Sequence, residues 1–224
     1  MKKIFLALFV LVSIGEIFSL VFQLSAVENF CKPLVLVTIG LYYYAYVERP
    51  GKDVLSAILF SCAGDTLLLF DSENSFFFIA GLSAFFVAHI FYILAYLRHQ
   101  DASQEHALRG IQKIRFSFPI ILAGTGLLII LYPFLGTLKV PVALYSLVLI
   151  IMVVNAIFRY GRTNGDSFWL VFGGSALFMV SDSILAIDKF YTPVLWSSVW
   201  IMITYITGQF LIIQGLCKHN FYYN

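Results

Sequence analysis

Apolar runs long enough to cross a bilayer recur along this chain, and they leave it few choices of surroundings. A lipid hydrocarbon core about 30 Å thick takes about 17–25 mostly apolar residues to span as an α-helix, the form that satisfies its own backbone hydrogen bonds. Eight such stretches can be marked, at residues 3–22, 32–47, 54–70, 76–97, 116–135, 140–159, 168–187 and 194–217. Too little remains between them for a water-soluble domain. Composition agrees: 61% of residues are hydrophobic, 12% are charged and the mean hydropathy is +0.91. Soluble domains sit near half apolar and about a quarter charged. The expected fold is all-α, one polytopic transmembrane bundle of eight spans over residues 1–224.

Charge sets the orientation of that bundle. The even connections and both ends carry Lys2, Lys3, Arg49, Lys52, Arg98, Arg109, Lys113, Arg115, Arg159, Arg162 and Lys218, eleven basic residues in all. The odd connections carry three, Lys32, Lys139 and Lys189. By the positive-inside rule both termini are cytoplasmic, which requires an even number of spans. The longest connection, 98–115, reads as a cytoplasmic loop, and the net charge of +2 reads as an orientation signal rather than a nucleic-acid surface. A secretory-signal reading of the first span competes, with Lys2-Lys3, an apolar run and small residues at Ser13-Ile14-Gly15. The apolar stretch continues past Glu16 to Phe22, so the span is read as retained. The basic start and compact loops point to a bacterial inner membrane, with an endoplasmic-reticulum protein as the alternative.

Several chemistries leave no trace. Cys31, Cys62 and Cys217 are odd in number and lie in or beside spans, and no Cys-x-x-Cys or Cys/His zinc spacing occurs. They read as small buried thiols. A phosphate-binding glycine loop, a Gly-x-Ser-x-Gly elbow and a His-Glu-x-x-His helix are also missing. No metal or organic cofactor is expected.

What does stand out is acid in the apolar runs. Asp65 and Asp182 interrupt the third and seventh spans, and a carboxylate at mid-membrane costs about 2.5–3.5 kcal/mol on insertion scales. The two contexts echo each other. Asp65-Thr66-Leu67-Leu68, with Asp71 six positions on, answers Asp182-Ser183-Ile184-Leu185 with Asp188 six positions on. In the following spans Phe85 and His89 match Tyr205 and Gln209 at i, i+4 spacing, and Lys32-Pro33 has a looser counterpart in Lys139-Val140-Pro141. Four spans separate equivalent elements, so half-repeats 1–97 and 116–217 would be parallel, related about the membrane normal. At about 1.5 Å per residue, Asp65, Asp182 and Glu16 lie roughly 16, 21 and 20 Å from the cytoplasmic ends of their spans, with His89 and Gln209 nearer 12 Å.

Each residue also has a plain structural reading. The aspartates could tie helices together, although a neutral amide would do so at lower cost. His89 is a bundle histidine or a site residue, Glu16 a bundle contact or a third acid. Tyr205 and Gln209 are packing partners or supporting groups, with Ser61, Tyr92 and Ser181 nearby in depth. Lys32-Pro33 reads as a helix start, its ammonium free to snorkel toward a lipid phosphate. Asn155 with Arg159 reads as structural.

An ordered set of motifs resembles the lysoplasmalogenase (YhhN-like) family of membrane proteins. They are Lys32-Pro33-Leu34, Phe60-Ser61-x-x-Gly64-Asp65-x-Leu67-Leu68, Gly81-Leu82-x-Ala84-Phe85-x-x-Ala88-His89-x-x-Tyr92, Tyr145 to Met152, Phe178-x-x-Ser181-Asp182-Ser183 and Tyr205-x-x-x-Gln209. Ile206 and Gly208 replace a tyrosine and an alanine of the family's last motif, Tyr-Tyr-x-Ala-Gln, which leaves Gln209 as the residue carried over. The resemblance implies eight helices and hydrolysis of the vinyl-ether bond of lysoplasmalogens, a lysophospholipid substrate taken from the bilayer. Products would be a fatty aldehyde and glycerophosphocholine or glycerophosphoethanolamine.

That chemistry suits two buried carboxyl groups. One, protonated, delivers a proton to carbon, while the other stabilises the resulting cation and orients water, as in glycosidases. Paired buried carboxyls can hold one proton at neutral pH. Asp65 and Asp182 are the candidates for these roles, His89 or Gln209 for positioning water, and Lys32 for the head-group phosphate. Midplane acids and an internal repeat also describe a proton-coupled transporter, and a non-catalytic protein with structural acids is a third reading. The chain's own assembly state leaves no mark in the sequence.

Overall fold

Lipid inverts the usual arrangement of side chains, and the first helix shows it. Along α1 (Lys2–Val21) the exposed residues Ile4, Leu8, Leu11, Ile14 and Phe18 recur at three- and four-residue intervals, while Glu16 and Ser19 are buried. The apolar stripe faces outward and the polar groups inward, as in a membrane bundle.

The computed structural model describes residues 1–70, 75–101 and 107–221; Asp71, one half of the sequence echo, lies outside them. The described residues form eight α-helices and two 3-10 turns, with no strand among them. After α1 come α2 (Ser25–Tyr46), α3 (Lys52–Leu68), α4 (Ser75–Arg98), α5 (Ile111–Leu131), α6 (Lys139–Ile157), α7 (Gly165–Phe190) and α8 (Ser197–Phe221). Six helical stretches are long and apolar enough to cross a membrane: Lys2–Val21, Phe76–Arg98, Ile111–Phe134, Gly136–Ile157, Gly165–Phe190 and Ser197–His219. The chain is thus a multi-pass membrane protein. The two helices outside this set are α2, which carries Glu28, Lys32 and four tyrosines, and α3, whose 17 residues reach about 26 Å.

The chain folds as two compact units, Met1–Tyr92 and Ile93–Asn224. In the first, α1 and α2 form a hairpin closed by Gln23 at φ 54°, a left-handed conformation more usual for glycine. Lys32-Pro33 does not start α2, as the sequence suggested. The helix begins seven residues earlier at Ser25 and carries Pro33 inside it. Leu24 carbonyl bonds to the Val27 and Glu28 amides open the helix directly from that turn, so the polar Ser25–Asn29 segment is helical.

The second unit is organised on α7 and α8. Ser167, Gly174 and Ser181 are spaced seven apart on α7, and Ile201, Gly208 and Gly215 seven apart on α8. They meet in register. Ser167 Oγ donates to the Gly215 carbonyl at 2.7 Å, and Ser181 Oγ donates to the Ile201 carbonyl at 3.0 Å. Between them a Cβ on Gly174 would sit 2.6 Å from the Gly208 carbonyl oxygen. Small residues at this spacing let two helix backbones touch. The turn joining them is held by the Val194 amide donating to Asp188 Oδ1 at 2.8 Å. At the other end, fully buried Arg159 donates to the His99 carbonyl at 3.0 Å and to Ser167 Oγ at 2.9 Å. Burial pushes its guanidinium down to about 10, still charged at neutral pH. Asn155 bonds its own helix through the Ile151 carbonyl.

Candidate functional site

Asp65 sits in the last turn of α3, three residues before its end at Leu68, and is 3% exposed. Its surroundings follow from where α3 touches its neighbours. Cys62, one turn earlier on the same face, reaches the Pro33 carbonyl of α2 at 3.6 Å. Toward α4, a Cβ on Gly64 would lie 2.6 Å from the Phe85 ring, and one on Gly81 would lie 3.3 Å from the Gly64 carbonyl oxygen. Glycine is what lets α3 and α4 approach here.

Lys32 and Glu16 belong to the same unit. Lys32 is half-buried and pairs with Glu28 one turn away, Nζ to Oε1 at 3.4 Å. Glu16 is fully buried and lies within electrostatic reach of Lys32, Glu28 and Asp65. His89 is fully buried on α4, eight residues beyond Gly81, which places it about 12 Å along the helix from the Gly64–Gly81 contact. Ser61, also fully buried, lies one turn before Asp65, and the stacked Phe60–Phe91 pair closes α3 on α4 beyond it.

Asp182 occupies a different setting in the second unit. It lies eight residues before the end of α7 and is part-exposed. Tyr145 of α6 donates its hydroxyl proton to Asp182 Oδ2 at 2.6 Å, in the range for an O–H bond to an ionised carboxylate. Tyr145 is itself 8% exposed. In the sequence Tyr145 stands within a family motif and carries no sign of a role. Its partner is 37 residues away, so only the fold brings the two together. Ser181, beside the aspartate, spends its hydroxyl on the Ile201 carbonyl.

Tyr205 and Gln209 lie further along α8. The Tyr205 ring meets Phe178 edge-on with centroids 5.3 Å apart, and Gln209 is fully buried beside the Gly174–Gly208 contact. Gln209 is eight residues beyond Ile201, the partner of Ser181, or about 12 Å along the helix. The same interval separates Gly81 from His89. The unit thus brings Asp182 together with Tyr145 and Ser181, and leaves Gln209 more than two turns away.

Each unit holds a close contact between its aspartate-bearing helix and the helix that follows. Aligning Asp65 with Asp182 and Phe85 with Tyr205 places Gly64 on Ser181 and Gly81 on Ile201. Both of those pairs are in contact. Among the described residues no group of three or more His, Cys, Asp or Glu side chains is arranged to hold a metal.

Known proteins resemble this chain over most of its length. The chain is 29% identical over 189 residues to the human lysoplasmalogenase TMEM86A, covering 82% of this chain and 72% of that one. With the human lysoplasmalogenase TMEM86B it shares 28% identity over 192 residues, 85% of this chain and 75% of the other. A lysoplasmalogenase of Mycobacterium tuberculosis is 30% identical over 178 residues, 75% of this chain and 62% of its own. No solved structure matches significantly. The YhhN family profile matches residues 27–216, from the first turn of α2 almost to the end of α8 and across both aspartate-bearing helices, and the chain belongs to the YhhN family.

Proposed function

We propose that this chain is an integral-membrane hydrolase that cleaves the vinyl-ether bond of lysoplasmalogens. The observation that carries the reading is family membership across 27–216 together with relatives named lysoplasmalogenase. The products are a fatty aldehyde and glycerophosphocholine or glycerophosphoethanolamine. Protonation of the outer vinyl carbon gives an oxocarbenium-like cation, and water adds to the carbon bearing oxygen. The resulting hemiacetal collapses, its hydroxyl proton replacing the bond to the glycerol oxygen. One water is consumed and no net proton.

Asp65 is assigned the proton-donating role. It is almost wholly buried in the last turn of its helix and within electrostatic reach of the buried carboxyl of Glu16. Asp182 is assigned the ionised role of stabilising the cation and orienting water, which its short bond from Tyr145 supports. Lys32 is given the head-group phosphate, with Glu16, His89, Ser181, Tyr205 and Gln209 in supporting positions. In this reading the chain is one transmembrane domain of eight spans with a 4+4 parallel repeat. Both termini are cytoplasmic and the host membrane is a bacterial inner membrane. Reporters fused to either end should be active only in the cytoplasm; an active periplasmic reporter at one end would overturn the topology.

The activity test uses purified protein in detergent. Aldehyde should appear from a 1-alkenyl lysophospholipid and not from its 1-alkyl analogue, which has no double bond to accept a proton. Equal cleavage of the two, or none of the alkenyl lipid, would end the vinyl-ether reading.

A further inference from the structure

We propose that Glu16 of α1 is a positioning residue that shares a proton with Asp65 and acts on the reaction through it. The inference rests on Asp65 being the donor, as assigned above. Two packing contacts bring the groups to one level. Where α1 meets α2, a Cβ on Gly15 would lie 3.2 Å from Cys31 Sγ; where α2 meets α3, Cys62 Sγ approaches the Pro33 carbonyl oxygen at 3.6 Å. Glu16 follows Gly15, Lys32 lies between Cys31 and Pro33, and Asp65 is one turn beyond Cys62 on the same face. The fields agree with this placement: Glu16 interacts with Cys31, Lys32, Glu28 and Asp65, and Asp65 with Cys62.

Within that level Glu16 is the anomaly. It is fully buried, and neither carboxyl oxygen has a hydrogen-bond partner among the described residues. Lys32, the cation of the group, has Glu28 beside it at 3.4 Å. An ionised carboxylate stripped of water and donors is costly, so the least demanding partner for Glu16 is a proton. A purely structural acid would show its donors. Helix α1 also precedes the segment matched by the family profile, so the family pattern does not account for this glutamate.

The chemistry then closes. Asp65 gives its proton to the vinyl carbon and becomes a carboxylate. When water adds to the cation it releases one proton, and the Glu16–Asp65 couple takes it up, restoring the donor. Glu16 forms no bond to the substrate.

Two substitutions separate proton sharing from packing. Glutamine keeps the shape and hydrogen bonding of Glu16 and cannot exchange an acidic proton; aspartate loses a methylene and can. Glu16→Gln should lower kcat at least tenfold with KM within twofold, and Glu16→Asp should stay within threefold of the parent kcat, both proteins melting as the parent does. Wild-type kcat in Glu16→Gln, or equal losses in both variants, would overturn the proposal. Asp65→Asn run in parallel tells the two failures apart. If it is inactive while Glu16→Gln is unimpaired, only the inference about Glu16 falls. If it remains active, the assignment of Asp65 falls first and takes this one with it.

Discussion

The two aspartate-bearing helix pairs look alike in sequence and differ in how they are built. In the first unit Asp65 sits in the final turn of a 17-residue helix, and α4 approaches α3 against a phenylalanine ring and a leucine. In the second, Asp182 sits more than two turns inside a 26-residue helix, and α8 approaches α7 backbone to backbone. One acid is nearly sealed and rests at a helix end; the other is part-exposed and accepts a tyrosine proton. The lesson is that two helix pairs with similar sequences can each make a close contact, Gly64–Gly81 and Ser181–Ile201, and still give their acids unequal surroundings. Unequal surroundings are what an acid and an ionised carboxylate need.

Experiments can break that comparison, beginning with the acids. Asp65→Asn and Asp182→Asn should each lower aldehyde release by about 10²–10⁴-fold, the range for a group acting in proton transfer, with the protein still folded. Full activity in either variant would show that its carboxyl group is dispensable for the chemistry.

A smaller effect is expected at Tyr145. A hydrogen bond to a charged group contributes about 1.5–3 kcal/mol, so Tyr145→Phe should lower kcat about 10–100-fold. The same change should leave the melting temperature within a few degrees. A variant as active as the parent would remove the reason for calling Asp182 the ionised member.

Packing gives the smallest effect and the sharpest contrast. On Gly174 a methyl would meet backbone that cannot move aside, so Gly174→Ala should destabilise by about 1–3 kcal/mol in thermal melts. On Gly64 the obstacle is the Phe85 side chain rather than backbone, and the helix-forming advantage of alanine, about 0.5–1 kcal/mol, offsets part of the shift, so Gly64→Ala should cost less than Gly174→Ala. Gly173→Ala serves as control, since nothing lies within 4 Å of a Cβ there. Equal losses at Gly64 and Gly174 would mean that the two pairs are equally rigid.

Hydrophobic runs located all eight described α-helices, six of which are long and apolar enough to cross a membrane. Their ends were less legible. Ser25–Asn29 is polar enough to read as a loop, yet the Gln23 turn starts α2 there. α5 likewise begins at Ile111, inside the stretch read as a loop, after a turn at Gly110 with φ 41°. Buried acids could be named from sequence because each one breaks an apolar run.

By itself, then, the sequence determined the all-helical membrane fold, the acids carried inside it and the family to which it belongs. Each of these is written in local composition or in order along the chain. Tertiary structure alone decided that Tyr145 reaches Asp182, that Glu16 is buried with no hydrogen-bond donor among the described residues, and that His89 and Gln209 lie about 12 Å along their helices from the glycine and serine contacts. A helix's azimuth and the register between neighbouring helices are set by which small residues let two backbones touch, a property of pairs of segments that no single segment reveals.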